Sequence, residues 1–218
     1  MHYILQGFAW NLSDPESIPN LLLDHLTLVG IVMLISLVIA IPLGIVVARY
    51  RRLYLPVIGI SGLLYTIPSI AAFALLIPIT GLSPVTAIIP LVIYNQLVLI
   101  RNTATGINGI DPMLFEVGRA MGMKPYQQLF RVTLPLALPV IIAGVRIATV
   151  TTIGIAALAS LVGQPTLGDL IFQNIAVFDP DGIAAGAITT AAFAIVADLL
   201  LLALQAFLNR GRGAVSLA

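Results

Sequence analysis

The sequence predicts an all-α integral membrane protein with five transmembrane helices. Of its 218 residues, 60% are hydrophobic and only 9% are charged, whereas a soluble domain carries about 25% charged residues. So few charges cannot cover a surface exposed to water, so we expect a lipid bilayer to surround the chain. The formal net charge of +1 argues against a nucleic-acid partner. The lack of cysteine excludes disulfides and thiolate metal sites.

Five apolar runs are close to or above the length of about 20 helical residues that crosses a bilayer. Pro42 lies inside the first run, Pro68 and Pro78 inside the second and Pro90 inside the third, so we expect kinked helices. We predict spans at about residues 26–48, 57–80, 85–103, 136–162 and 183–208. The third and fourth spans are joined by a polar loop at about 106–135, and a short helix is expected near 167–176 within the loop before the fifth span.

The basic residues set the orientation of the five spans. Arg49, Arg51 and Arg52 directly follow the first span. If they are cytoplasmic, alternation places the loop between the third and fourth spans and the C-terminal tail on the same side. The opposite side then carries no Lys or Arg, as the positive-inside rule requires. We therefore predict an outside N-terminus, a cytoplasmic C-terminus and a single membrane domain over residues 1–218.

The longest polar interruption in this apolar chain covers residues 115–139. Asp111-Pro112 just before it is a helix-start signal, with Asp as the N-cap and Pro at the first helical position. The stretch predicts a short helix, a turn near Lys124-Pro125, a second short helix and a stop at Leu134-Pro135. Topology alone fits two interpretations equally: an amphipathic loop on the inner leaflet, or a docking site for a partner.

The spacing within this stretch carries a resemblance. Glu116, Gly122, Val132, Leu134 and Pro135 follow the pattern E-x5-G-x9-[IV]-x-L-P. This resembles the EAA motif of bacterial ABC-importer permeases, EAA-x3-G-x9-I-x-L-P, except that the two alanines and the isoleucine are replaced. The resemblance implies coupling helices that insert into a cleft of an ATPase subunit. The residues it implies for this role are Glu116, Gly118, Ala120, Gly122, Leu134 and Pro135.

A wider resemblance covers about residues 26–208. The runs LLYTIPSIAAFALLIPITGLSP, RNTATGINGIDP and LGDLIFQNI are similar to permeases for glycine betaine, choline and carnitine. This implies a type I ABC importer in a bacterial or archaeal plasma membrane. Two permease chains, identical or paralogous, would pair with two ATPases that bind ATP and Mg²⁺, and an extracytoplasmic binding protein would deliver the solute. Methionine permeases share the length and the span count, but their loop flanks differ from RNTATGINGIDP.

Four residues are candidates for the translocation pathway. A quaternary ammonium group offers no N–H donor, so aromatic faces should recognise it. Tyr65 and Tyr94 are candidates, with helix packing as the alternative. Asn95 is either a pathway residue or an amide that hydrogen bonds between helices. Asp198 lies deep in the fifth span, where an acid marks a functional position by default; a pair with Arg146 is the alternative.

Two other classes of membrane protein fit the sequence less well. A stand-alone secondary transporter tends to show internal repeats, and none is evident here. A membrane enzyme would need a catalytic cluster, but the sequence has no HExxH and no GxSxG and we expect no catalytic residue, cofactor or metal in this chain. It also lacks the phosphate-loop pattern GxxxxGK[ST]. ATP hydrolysis is therefore expected on a separate subunit.

Overall fold

The computed structural model describes residues 10–209, and the regular structure in that range is helical, as predicted. His2 and the basic tail with Arg210 and Arg212 lie outside the described residues. The α-helices are α1 Ile18–Arg49, α2 Tyr54–Tyr65, α3 Ser69–Thr80, α4 Pro84–Asn108, α5 Pro112–Ala120, α6 Pro125–Gln128, α7 Leu134–Ala156, α8 Gly168–Ala176 and α9 Pro180–Asn209.

Four helical runs in the described part of the chain are long and apolar enough to span a bilayer. They are α1, α4, the run Pro125–Val162 that contains α7, and α9. The pair Arg51–Tyr65 and Ser69–Thr80 passes the same criteria together and gives a fifth crossing if it is counted as one span. The predicted count of five is therefore the upper of the two counts that length and composition allow.

The second predicted span is divided into two helices. The axes of α2 and α3 differ by 88° across a short break, where a single kinked helix over 57–80 was expected. Pro68 supplies no backbone N–H and disfavours helical geometry at Ile67. Its own backbone is extended, with φ −57° and ψ 133°. The Tyr94 hydroxyl donates to the carbonyl of Ile67 at 2.9 Å, so the break is stabilised from α4.

The first and last spanning helices begin before the predicted apolar runs. α1 starts at Ile18 rather than near residue 26, because the polar residues Asp24 and His25 continue the helix. Asp24 is exposed and His25 is buried. α9 likewise begins at Pro180 rather than near residue 183. Helix ends follow backbone hydrogen bonding, whereas the predicted limits followed hydropathy.

Helix α4 lies at the centre of the bundle, where it packs against α1, α2, α3 and α7. Two glycines allow the closest approaches. A Cβ at Gly44 of α1 would lie 2.5 Å from Cβ of Thr103, and a Cβ at Gly144 of α7 would lie 2.5 Å from Cβ of Asn102. Small residues let helix backbones approach closely in membranes. Two of the candidate residues, Tyr94 and Asn95, are buried on α4 within this closely packed three-helix core.

Replacing Gly44 with alanine is expected to destabilise the bundle, because the added methyl group overlaps Thr103. Overpacking of this kind costs about 1–3 kcal/mol. Gly30 of the same helix has no atom within 4 Å of an added Cβ, so Gly30→Ala is the matched control and should be neutral or slightly stabilising. The thermal midpoint of the detergent-purified protein measures both, and equal midpoints would contradict the close packing.

Candidate functional site

The polar loop folds as a defined pair of helices, α5 and α6. Asp111 caps α5 by accepting the backbone N–H of Met113 at 2.9 Å, and Pro112 occupies the first helical turn. This confirms the predicted start of the helix. Lys124 precedes α6, and its backbone N–H donates to the side-chain oxygen of Gln127 at 2.8 Å. Both helices therefore begin at residues whose exposed backbone groups have local partners.

A glycine turn joins the two helices. Gly122 has φ +76°, a left-handed conformation that costs an ordinary residue about 1–2 kcal/mol. The turn closes with the N–H of Met123 donating to the carbonyl of Gly118 at 3.0 Å, a typical helix C-terminal arrangement. No atom lies within 4 Å of a Cβ placed on Gly122. Within this chain, the turn requires glycine for its backbone angles rather than for space.

Side-chain contacts fix the angle between α5 and α6. The amide of Gln128 donates to the carbonyl of Phe115 at 2.8 Å. Gly118 is buried beside the Gln128 amide, because a Cβ on Gly118 would lie 3.1 Å from the amide nitrogen. Phe115 packs with Ile110 and Leu134 against the bundle. The pair is therefore a rigid unit attached to the membrane helices rather than a loose surface loop.

No stop separates α6 from α7 within the described structure, contrary to the expectation at Leu134-Pro135. A π-helical segment, Leu129–Thr133, connects the two helices, and the N–H of Leu134 donates to the carbonyl of Leu129. The run is helical from Pro125 to Val162. Pro135 lies in the first turn of α7, where the absence of an N–H is tolerated. The wider turn of the π-helix keeps the chain helical at the point where a stop was expected.

One face of the α5–α6 pair is apolar and uncovered by this chain. The motif residues Glu116 and Ala120 are exposed on α5, next to several exposed apolar side chains. Exposed apolar side chains grouped on a short segment suit contact with a partner protein or with lipid. The large exposed apolar side chains of the segment are Met113, Leu114, Val117, Met121, Tyr126 and Phe130.

Tyr65 and Tyr94 are brought together at the break between α2 and α3. Their rings meet edge to face, with centroids 5.8 Å apart. Tyr94 is only 5% exposed, and its hydroxyl donates to the Ile67 carbonyl. Most of its ring surface is therefore buried within the chain. Tyr65 is 40% exposed. Of the two aromatic candidates, Tyr65 has the ring surface that a solute could reach.

Asn95 lies in the core, 4% exposed. Its amide nitrogen donates to the Ser36 hydroxyl at 3.2 Å, and its amide oxygen accepts the Thr152 hydroxyl at 3.0 Å. The three residues join α4 to α1 and α7. Because both polar atoms of the amide are engaged within the chain, this placement favours helix packing over contact with a solute.

Asp198 forms a two-bond ion pair with Arg146. Nε of Arg146 donates to Oδ1 and Nη2 donates to Oδ2, both at 2.9 Å. Gln205 accepts a third bond from Nη1 at 3.1 Å, while its amide nitrogen donates to the carbonyl of Pro139 at 3.0 Å. This network ties α9 to α7, and the pair lines an open cavity of about 440 Å³. The predicted alternative for Asp198 is thus the observed arrangement.

Sequence reasoning missed two residues that form hydrogen bonds between distant parts of the chain, Gln205 and His25. Gln205 is two helical turns after Asp198, a spacing that places both on one face. His25 is fully buried: its Nε2 donates to the carbonyl of Ile153 at 3.1 Å and its Nδ1 accepts the N–H of Leu167 at 3.3 Å. No local signal marks His25, since both partners are more than 100 residues away in sequence. Across residues 10–209, no group of three His, Cys, Asp or Glu side chains could hold a metal ion.

Comparison with known proteins gives consistent matches. A model of the family described as binding-protein-dependent transport system inner membrane component matches residues 40–213. The choline transport system permease protein OpuBB of Bacillus subtilis (strain 168) is 39% identical over 201 residues, covering 92% of this chain and 91% of that protein. The osmoprotectant import permease protein OsmW of Salmonella typhimurium (strain LT2) is 37% identical over 214 residues, covering 96% of each.

A further relative and a solved structure agree with these matches. The glycine betaine/carnitine/choline transport system permease protein OpuCD of Bacillus subtilis is 45% identical over 170 residues, covering 78% of this chain and 74% of that protein. An inward-facing structure of the MetNI methionine ABC transporter has a TM-score of 0.77 at 23% identity, covering 86% of this chain and 94% of that chain. That likeness shows the fold alone, and it confirms the predicted permease architecture.

The ion pair gives a testable prediction about the α7–α9 contact. Asp198→Asn should lower the yield of folded protein and its thermal midpoint, because it leaves the Arg146 guanidinium without a counter-charge in an apolar setting. The double variant Arg146→Met/Asp198→Leu removes both charges and should recover most of the loss. Size-exclusion profiles and melting of the detergent-purified variants measure this. A double variant no better than Asp198→Asn would contradict a role limited to charge pairing.

Proposed function

The chain belongs to the family of binding-protein-dependent transport system inner membrane components, and from that premise we propose that it imports quaternary-ammonium osmoprotectants. It is a permease subunit of an ABC transporter, as the resemblance in its sequence implied, and it aligns with relatives over most of their length. Those relatives are named for choline, glycine betaine, carnitine or osmoprotectants. The agreement among their names supports the same class of solute here.

The helix pair α5–α6 is the proposed contact with an ATPase subunit, and its geometry carries the coupling role. Its exposed apolar face, with Glu116 and Ala120 beside it, has the composition of a docking surface. Gly122 shapes the turn, and Gly118 lets the two helices pack. A partner that moves this pair therefore moves a rigid body.

The same pair continues into the membrane bundle, which supports transmission of that movement. Leu134 packs with Ala137 and Ile141, and Pro135 begins α7 without interrupting the helical run. Two ATPase subunits, one for each permease chain, would bind the ATP and Mg²⁺. We assign no ATP chemistry to this chain.

The basic residues support a cytoplasmic position for α5–α6. Arg49 lines a cavity together with Tyr126 of α6, and Arg51 and Arg52 line a neighbouring cavity at the end of α4. The positive-inside rule assigns this end to the cytoplasm, with the N-terminus outside. The opposite end holds α8, where an extracytoplasmic binding protein would deliver the solute. The membrane would be the plasma membrane of a bacterium or archaeon.

We place the solute path beside Tyr65, between this chain and a second permease chain. The exposed face of Tyr65 suits a quaternary ammonium group. Asp198 and Arg146 are partly exposed on α9 and α7, and charged groups inside a membrane normally face protein or a water-filled cavity. The α7–α9 face therefore lies toward the second permease chain, a copy or a paralogue, or toward the path. The pathway role of Asp198 stays a prediction.

Replacing Gly122 tests the coupling role. Gly122→Val should uncouple transport from ATP hydrolysis, because a β-branched residue at φ +76° adds strain of at least about 1–2 kcal/mol to the turn. Gly122→Asn is the matched control, since asparagine tolerates this conformation, and it should retain most of the activity. Solute uptake and ATPase rate in proteoliposomes are compared. Wild-type coupling in the valine variant, inserted at normal levels, would remove the docking assignment.

The solute assignment is tested with the reconstituted complex. Binding protein loaded with choline or glycine betaine should stimulate ATP turnover, and methionine should not. Tyr65→Phe keeps an aromatic face and should transport normally, whereas Tyr65→Leu should reduce uptake about two- to fivefold, as expected from a lost cation–π contact. Stimulation by methionine instead would overturn the solute class, and equal uptake by the two Tyr65 variants would overturn the path at this residue.

A further inference from the structure

We propose that a cavity at the basic end of the bundle binds an anionic phospholipid. The cavity has a volume of about 520 Å³ and opens between the last turns of α1 and α4 on one side and the α5–α6 pair on the other. Its lining includes Tyr126 of the exposed apolar side chains assigned to the ATPase contact, and it does not include Tyr65. Neither the proposed solute path nor the proposed ATPase contact requires it to be filled.

The lining of the cavity is divided between apolar walls and a polar edge. Ile45, Ile107 and Leu129 contribute side chains from α1, α4 and the π-helical segment. Arg49 and Asn108 also line the cavity. A ligand that matches this lining has an apolar portion and a group that accepts hydrogen bonds from a guanidinium and an amide.

The charge around the cavity is positive. A second cavity of about 730 Å³, lined by Arg51 and Arg52, shares Asn108 with the first. Among residues 10–209, no ion pair engages these two arginines or Arg49, and neither cavity has an acidic residue in its lining. Asp111, close by in sequence, caps α5, and the three arginines outnumber this one acid. The site therefore favours an anion over a zwitterion.

A phospholipid is the occupant that satisfies all of these features. A guanidinium binds phosphate oxygens through paired, charge-assisted hydrogen bonds. Basic residues at a membrane boundary attract anionic lipids, and the acyl chains account for the apolar walls, which a free phosphate ion would leave uncovered. Because the walls belong both to the bundle and to the α5–α6 pair, the bound lipid would hold the pair against α1 and α4.

Native mass spectrometry of the full chain, purified in mild detergent with its copurifying subunits, tests the proposal. After delipidation, the protein is offered phosphatidylglycerol, phosphatidylcholine or inorganic phosphate. Phosphatidylglycerol should be retained about tenfold better than phosphatidylcholine, the factor expected when one charge-assisted contact is lost. Inorganic phosphate should neither bind detectably nor displace it. Equal retention of the two lipids, or displacement by phosphate, would overturn an anionic-lipid site.

Substitutions locate the site. Arg49→Gln should reduce retained phosphatidylglycerol about tenfold, whereas Arg101→Gln, the same charge change on an exposed residue outside both cavities, should not. Ala48→Phe fills the cavity without changing charge and should prevent retention, and Val46→Phe, on another face of α1, is its control. Wild-type retention in both Arg49→Gln and Ala48→Phe, with normal size-exclusion profiles, would place the lipid elsewhere and reject the proposal.

Discussion

Backbone polar groups in an apolar medium must find partners inside the protein, and this requirement adds hydrogen bonds between helices to the apolar packing of the core. The break after α2 leaves the carbonyl of Ile67 to be held by the hydroxyl of Tyr94. At the end of α7, the N–H of Ala157 donates to the carbonyl of Ile155. His25 donates to the carbonyl of Ile153 in the same turn. Irregular backbone is therefore accompanied by a side chain from another helix, and the bond joins the two.

The same requirement adds polar contacts to the packing of α9, which also contacts α8 and places Phe193 and Ala194 against the core. Gln205 donates to the carbonyl of Pro139 and also accepts from Arg146, which holds Asp198. Two charges and an amide satisfy one another across the interface. The cost of placing an acid inside the membrane is thus reduced by a partner on a neighbouring helix, and the contact is specific because the guanidinium and the carboxylate fit in a two-bond geometry.

Hydropathy and spacing predicted the helical class, the Asp111 cap and a turn between the two short helices, because these depend on residues close together in sequence. The turn lies at Gly122, slightly before the predicted position near Lys124-Pro125. The outcome at each proline was not predictable in this way. Pro42 and Pro90 lie inside continuous helices, whereas Pro68 divides a span in two, and a distant tyrosine holds that break. The buried histidine was missed for the same reason: its partners are distant in sequence and near only in the fold.

The continuous run Pro125–Val162 determines how a movement of the α5–α6 pair would reach the membrane helices. A stop at Pro135 would have left a flexible joint, and movement of α6 would be lost there. The π-helical segment keeps the run helical. A displacement of α6 is therefore transmitted to α7 through one continuous helix. Arg146 lies in the same helical run and forms an ion pair with Asp198 of α9. If the α5–α6 pair is the ATPase contact that we propose, one displacement of the pair moves two membrane helices together.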